Sequence, residues 1–190
     1  VVDVIAREVV DRTAILFKAI KPKGGEMPVV MGSGGSGILL HEAIGHAFEA
    51  DFNRKDISIF AGQLNKKVCN EHINVVDDGT IPFNRGSVNF DDEGVEGQKT
   101  YIVKEGVLTS YLHDRISAKH YGVNPTGNGR RDTFRNLPIP RMRATYMEAG
   151  NMKEADIISK VKNGIFVDTF TNGQVQIGAG DFTFFVKSGY

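Results

Sequence analysis

The stretch GILLHEAIGHAFEADF, residues 37–52, places Glu42 directly after His41 and brings a second histidine, His46, five positions past the first. Neutral imidazoles and carboxylates are zinc donors, and a catalytic zinc keeps three protein ligands and an open position. Such an ion acidifies a water, and a neighbouring carboxylate can take the proton. His41 and His46 are thus candidate metal ligands, and Glu42 is a candidate general base. The spacing sets a geometric condition. At ~100° per residue, a regular α-helix holds His41 and His46 roughly 140° apart, against ~40° for a four-residue spacing. Both rings reach one ion only if the helix is distorted near Ile44–His46. A π-type turn with its five-residue period would align them, and Gly45 suits such a distortion. The competing reading is an ordinary buried helix with two satisfied histidines. Spacing alone does not decide between them.

Several elements must position this segment. Residues 2–20 carry apolar positions at three- and four-residue steps and read as a helix. Residues 27–32 read as a short buried strand and 33–37 as a tight turn, with Ser36 as the N-cap of the His41 helix. From 56 to 112 alternation between glycine-containing turns points mostly to strands, with a hairpin turn at 104–106. A short helix is expected over 114–121. The run 122–143 is rich in Gly, Pro, Asn and Arg and reads as a long ordered loop. Loops of that length in compact domains are usually functional or disordered. Residues 151–164 read as a helix with Asn151 and Glu154 at capping-box spacing. Two antiparallel strands around an Asn172–Gly173 turn close the chain. The fold class is α+β, a mainly antiparallel sheet with a few flanking helices and the metal motif on a helix. Residues 1–26 form a terminal helix and linker, and 27–190 form the domain proper.

Residues 32–37, GSGGSG, offer a rival chemistry, because they match a dinucleotide-binding glycine pattern between a strand and a helix. A nucleotide fold then needs an acidic residue at the end of the next strand. The following run, ISIFAGQL, leads instead into Asn65, Lys66 and Lys67. Close packing at the helix start is the better reading of the glycines.

Bulk composition narrows the classes. Lys plus Arg and Asp plus Glu both number 23, so the net charge is zero and no overall footprint for nucleic acid or anionic membrane exists. The single cysteine, Cys69, excludes an intrachain disulfide framework and makes a reducing compartment the default. No apolar run approaches the ~18 residues of a membrane span. The acidic turns at 77–79 and 91–94 lack calcium-loop spacing.

Read together, GILLHEAIGHAFEADFNRK, VVDDGTIPFNRGSVNFDDEG, NPTGNGRRDTFRNLPIPRMRATYM and GQVQIGAGDFTFF resemble the TldD/PmbA metalloprotease family, in the branch that carries HExxxH. The resemblance runs from about Met27 onward and rests on several spaced blocks. It implies a cytoplasmic zinc peptidase acting on short or unfolded peptides, with His41 and His46 as ligands and Glu42 as base. It implies a third ligand, a cysteine, at a family position beyond Tyr190. It also implies a dimer, either a homodimer or a heterodimer with a paralogous subunit. The chain therefore reads as a piece of the family's catalytic domain bearing two of three ligands, and an inactive piece is one expectation. Cys69 does not occupy the family position and reads as a structural thiol. Glu49, Asp51, His72, His113 and His120 have only residue type in their favour as a third ligand.

The arginines of the long loop suit a substrate-side role, in which guanidinium donors hold peptide carbonyls or a terminal carboxylate. Asn128, Gly129 and Arg130 are the candidate substrate contacts. The alternative is that arginines pin the loop to Asp91, Asp92 and Glu93. A non-catalytic module that holds a peptide or partner is the second functional expectation.

Overall fold

The computed structural model describes residues 1–190, the surroundings of Gly34 excepted. Helix α1, Val2–Leu16, buries none of its residues. The body is built on an antiparallel sheet of four strands: β2 (Val75–Asp78), β3 (Lys99–Lys104), β4 (Val107–Leu108) and β7 (Thr145–Met147), in the order β4-β3-β2-β7. Val75, Val76, Ile102, Val103 and Leu108 from this sheet are all almost fully buried. They join Tyr111, Leu112 and Met142 in one core with Leu40, Phe48 and Ala50 of the histidine segment. That burial anchors the segment to the sheet.

A second sheet has the order β1-β8-β9, from β1 (Val29–Met31), β8 (Ile165–Gln176) and β9 (Asp181–Gly189). β8 and β9 are antiparallel, while β1 runs parallel to β8. β1 leads straight into helix α2, Ser33–Leu39, which lies against β8. The glycines make this contact possible. A Cβ on Gly35 would stand 3.1 Å from the Asp168 carbonyl oxygen and 3.0 Å from the Phe170 ring. The glycine pattern is therefore a packing device here, and the cap of α2 is Gly32 rather than Ser36.

Three other expectations differ from the structure. Residues 86–94 hold only an isolated bridge between Phe90 and Glu96, and residues 57–74 form turns instead of a strand. Phe60, Leu64, Val68 and Ile73 still pack on the core from those turns, so their apolar character serves burial without a ladder. The final hairpin turns at 176–180, not at Asn172–Gly173, which lie inside β8. Gly173 pairs with Phe184, whose ring covers it; a strand glycine that makes room for a cross-strand aromatic mimics a turn signal. Helix α5 spans only Glu154–Ser159, with Lys153 as an N-cap that makes no side-chain bond. By contrast α4, Arg115–Tyr121, carries a full capping box between Asp114 and Ser117 and ends on Gly122 in the left-handed conformation. The 122–143 loop contains a two-stranded ribbon, β5 (Gly129–Arg130) with β6 (Ile139–Pro140).

Candidate metal centre

α2 does not continue as a regular helix. Residues Leu40–Gly45 form a π-helical turn, His46–Phe48 a 3-10 turn, and Glu49 is extended before the short helix α3, Ala50–Asn53. The wide turn answers the splay problem. The His41 and His46 rings lie edge to face, with centroids 4.8 Å apart and planes at 81°. The donor atoms of His41, Glu42 and His46 all fall within 4.8 Å of one another. No other group of three metal-donor residues gathers among the described residues. His41 is exposed while Glu42 and His46 are half-buried, so the cluster is open on one side. Two imidazoles within reach of one another suit a divalent cation such as zinc, and the carboxylate of Glu42 lies beside them.

Gly45 contributes space. A Cβ there would collide with the Sδ of the buried Met142 and stand 3.0 Å from its Cε. Its backbone is ordinary right-handed helix, φ −57° and ψ −52°. The glycine at the distortion thus lets a core methionine meet the helix.

Behind His46 lies a buried polar cluster. Nδ1 of His46 is 3.0 Å from Oε2 of Glu49, a side chain with no exposure. The same oxygen accepts from Nη1 of Arg141 at 3.1 Å, and Asp51 Oδ2 lies 3.5 Å from that nitrogen. The Arg141 guanidinium also sits over the Phe52 ring, 5.7 Å from its centroid. The backbone around Glu49 is clamped, since Ala50 N–H donates to Leu112 O and Leu112 N–H donates to Phe48 O, each at 3.0 Å. The histidines are driven in opposite directions. Burial and the neighbouring His46 push His41 below the usual imidazole range. The hydrogen bond to Glu49 raises His46 despite burial.

The proposed substrate residues divide. Asn128 is almost fully buried, and its amide nitrogen donates to Asp77 Oδ2 at 2.7 Å and to Arg141 O at 3.0 Å. Gly129 N–H donates to Asp91 Oδ2 at 2.9 Å, and its carbonyl accepts from Asp92 N and Arg143 Nη2. Both are held inside the fold by these bonds. Arg130 alone has an exposed side chain, and its charge is among those that disfavour a protonated His41. Arg131 is tied to the acidic turn mainly through backbone groups: its N–H donates to Asp92 Oδ2 at 2.8 Å and its Nη2 to the Asp92 main-chain carbonyl at 3.3 Å, without a guanidinium–carboxylate pair among the described residues.

Of the other donors, His113 is buried against Tyr111 and Tyr121, and burial lowers it to about 4. His120 packs on the Tyr121 ring. Cys69 packs against the core, and burial raises its thiol. Glu49 and Asp51 are turned toward Arg141. Sequence reasoning missed the supporting role of Glu49, although its place three residues after His46 is a readable signal. Arg141, 92 residues from Glu49, has no local signal at all.

Comparison with known proteins places the chain in a family. Residues 24–190 match the model of the PmbA/TldA metallopeptidase C-terminal domain. A metalloprotease TldD homolog of Haemophilus influenzae is 45% identical over 185 residues, covering 97% of this chain and 38% of its own length. A zinc metalloprotease TldD homolog of Saccharolobus solfataricus is 35% identical, covering 92% of this chain and 39% of its own. The crystal structure of TldE from Thermococcus kodakarensis superposes with a TM-score of 0.71 at 25% identity, covering 90% of this chain and 41% of that one. The chain thus spans about two-fifths of the length of these relatives. It belongs to the TldD/PmbA family of metallopeptidases.

Proposed function

We propose that this chain carries the metal-binding part of a zinc-dependent peptidase that hydrolyses short or unfolded peptides. The observation that carries this reading is the π-helical turn, which draws the His41 and His46 imidazoles to 4.8 Å and keeps Glu42 in the same cluster. His41 and His46 would hold the ion, and the zinc in the name of the Saccharolobus relative supports that choice of metal. When bound, zinc supplies Lewis-acid polarisation of the carbonyl under attack. Glu42 takes a proton from the attacking water and passes it to the departing amine. Arg130, exposed and with its charge felt at His41, holds a substrate carbonyl or carboxylate. The third ligand in this reading is a cysteine outside residues 1–190.

The substrate reading follows from the sheet. Among the described residues β9 has a strand partner on one side only, and Phe182, Phe185 and Val186 are exposed along it. An extended peptide adds to such an edge through main-chain hydrogen bonds with little sequence preference. A paired subunit, homologous or identical, and a cytoplasmic location complete the reading. Among the described residues no helix is long and apolar enough to cross a membrane.

The deciding experiment is peptide cleavage by the full-length protein and its Glu42→Gln variant, with zinc content measured on both. Loss of cleavage with zinc retained is expected. Full activity of the variant would remove Glu42 as the base. A second reading, a non-catalytic peptide- or partner-holding module, draws on the open β9 edge. Zinc-free protein that still binds peptide would favour it.

A further inference from the structure

We propose that Glu49, held by Arg141, is a positioning residue for the metal centre that fixes the ring tautomer of His46 and so selects Nε2 as its ligating atom. The inference rests on the metallopeptidase reading above, and its test separates the two.

A neutral imidazole carries one N–H and one lone pair, and the partner of one nitrogen decides which is which. A carboxylate only accepts hydrogen bonds. Nδ1 of His46 lies 3.0 Å from Glu49 Oε2, so Nδ1 carries the proton and Nε2 is left with the lone pair. Metal-ligating histidines characteristically bind a carboxylate through the other nitrogen, which orients the ring and raises its basicity.

Glu49 is well suited to this task. Its side chain is fully buried, its backbone is clamped to Leu112, and Arg141 Nη1 donates to the same Oε2 at 3.1 Å. Arg141 is in turn fixed through its main chain. Its N–H donates to Asn128 O at 2.8 Å, and its carbonyl accepts from Asn128 Nδ2 at 3.0 Å. Glu49 Oε1 has no partner among the described residues. A buried carboxylate with one oxygen doubly engaged and the other unpaired is costly to keep. The orientation of His46 accounts for keeping it there.

The first test reads the imidazole nitrogens of the metal-free protein by ¹⁵N NMR. At alkaline pH, where the ring is neutral, Nδ1–H with a bare Nε2 is expected at His46, and Nε2–H with a bare Nδ1 would overturn the proposal whatever the variants do. The second test measures zinc affinity by competition with a chelator, with folding followed by circular dichroism. Glu49→Gln is expected to bind zinc roughly 10–100-fold more weakly. It should also show a mixed His46 tautomer. Zinc binding by folded Glu49→Gln equal to wild type would also overturn it. Failure of wild-type protein to bind zinc at all would instead sink the metallopeptidase reading, while the tautomer measurement would still judge Glu49.

Discussion

Arg141 Nη1 lies 3.1 Å from Glu49 Oε2, joining the long loop to the histidine segment across 92 residues of chain. Through this contact the loop and the metal centre form one structural unit. The loop is in turn tied to the main sheet by Asp77. Its Oδ2 accepts from Asn128, while Oδ1 accepts from Arg143 N–H at 2.9 Å and Thr145 Oγ1 at 2.7 Å.

Glu42→Gln separates chemistry from assembly. Loss of a positioned general base reduces turnover by roughly 10²–10⁴-fold. The variant is expected to keep its melting temperature and its zinc. Cleavage of an unfolded peptide, assayed beside metal analysis, checks this.

Gly45→Ala tests the contact that seats the histidine helix. The added methyl meets Met142 Sδ, and overpacking of this kind costs about 1–3 kcal/mol. Shortening Met142 to alanine in the same protein should recover part of the loss that Gly45→Ala causes. Denaturant melts of the two single variants and the double variant measure the coupling. Simple additivity would show that the two side chains do not compete for this space.

Asn128→Ala and Arg130→Ala should behave oppositely. Removing the Asn128 amide leaves Asp77 buried without one of its donors, at a cost of about 1–3 kcal/mol in stability. Arg130→Ala should leave the melt unchanged and raise KM. Thermal melts and steady-state kinetics on both variants distinguish scaffold from substrate contact.

His113 sets a pH limit on stability. Burial lowers it to about 4 in the folded chain, against an ordinary 6.5. As pH falls, the unfolded state takes up the proton first, so stability is lost between pH 6.5 and about 4 and levels off below. The contribution is on the order of 3 kcal/mol. Urea unfolding of wild type and His113→Gln across that window is expected to show a shallower pH dependence in the variant.

The parts of this architecture legible in the sequence were those with local signatures. His41, Glu42 and His46 announce themselves by type and spacing, and for the two histidines to share one ion their five-residue step required a wide helical turn. α4 was expected over 114–121 and spans Arg115–Tyr121. The α+β class followed from alternation and glycine punctuation. What failed to read was non-local. Gly173 looked like a turn because nothing in its neighbourhood reveals the Phe184 ring across the ladder. Residues 57–64 looked like a strand because burial against the core and burial in a sheet select the same residues. Asn128 looked available on its glycine-rich loop, while its partner Asp77 lies 51 positions away. The Glu49–Arg141 contact has the same character.

The most direct test of the central claim is zinc stoichiometry, measured by mass spectrometry on the purified full-length protein and on His41→Ala and His46→Ala. The account predicts close to one zinc in the wild-type subunit and loss of that zinc in each folded variant. Zinc content unchanged by either substitution would contradict it.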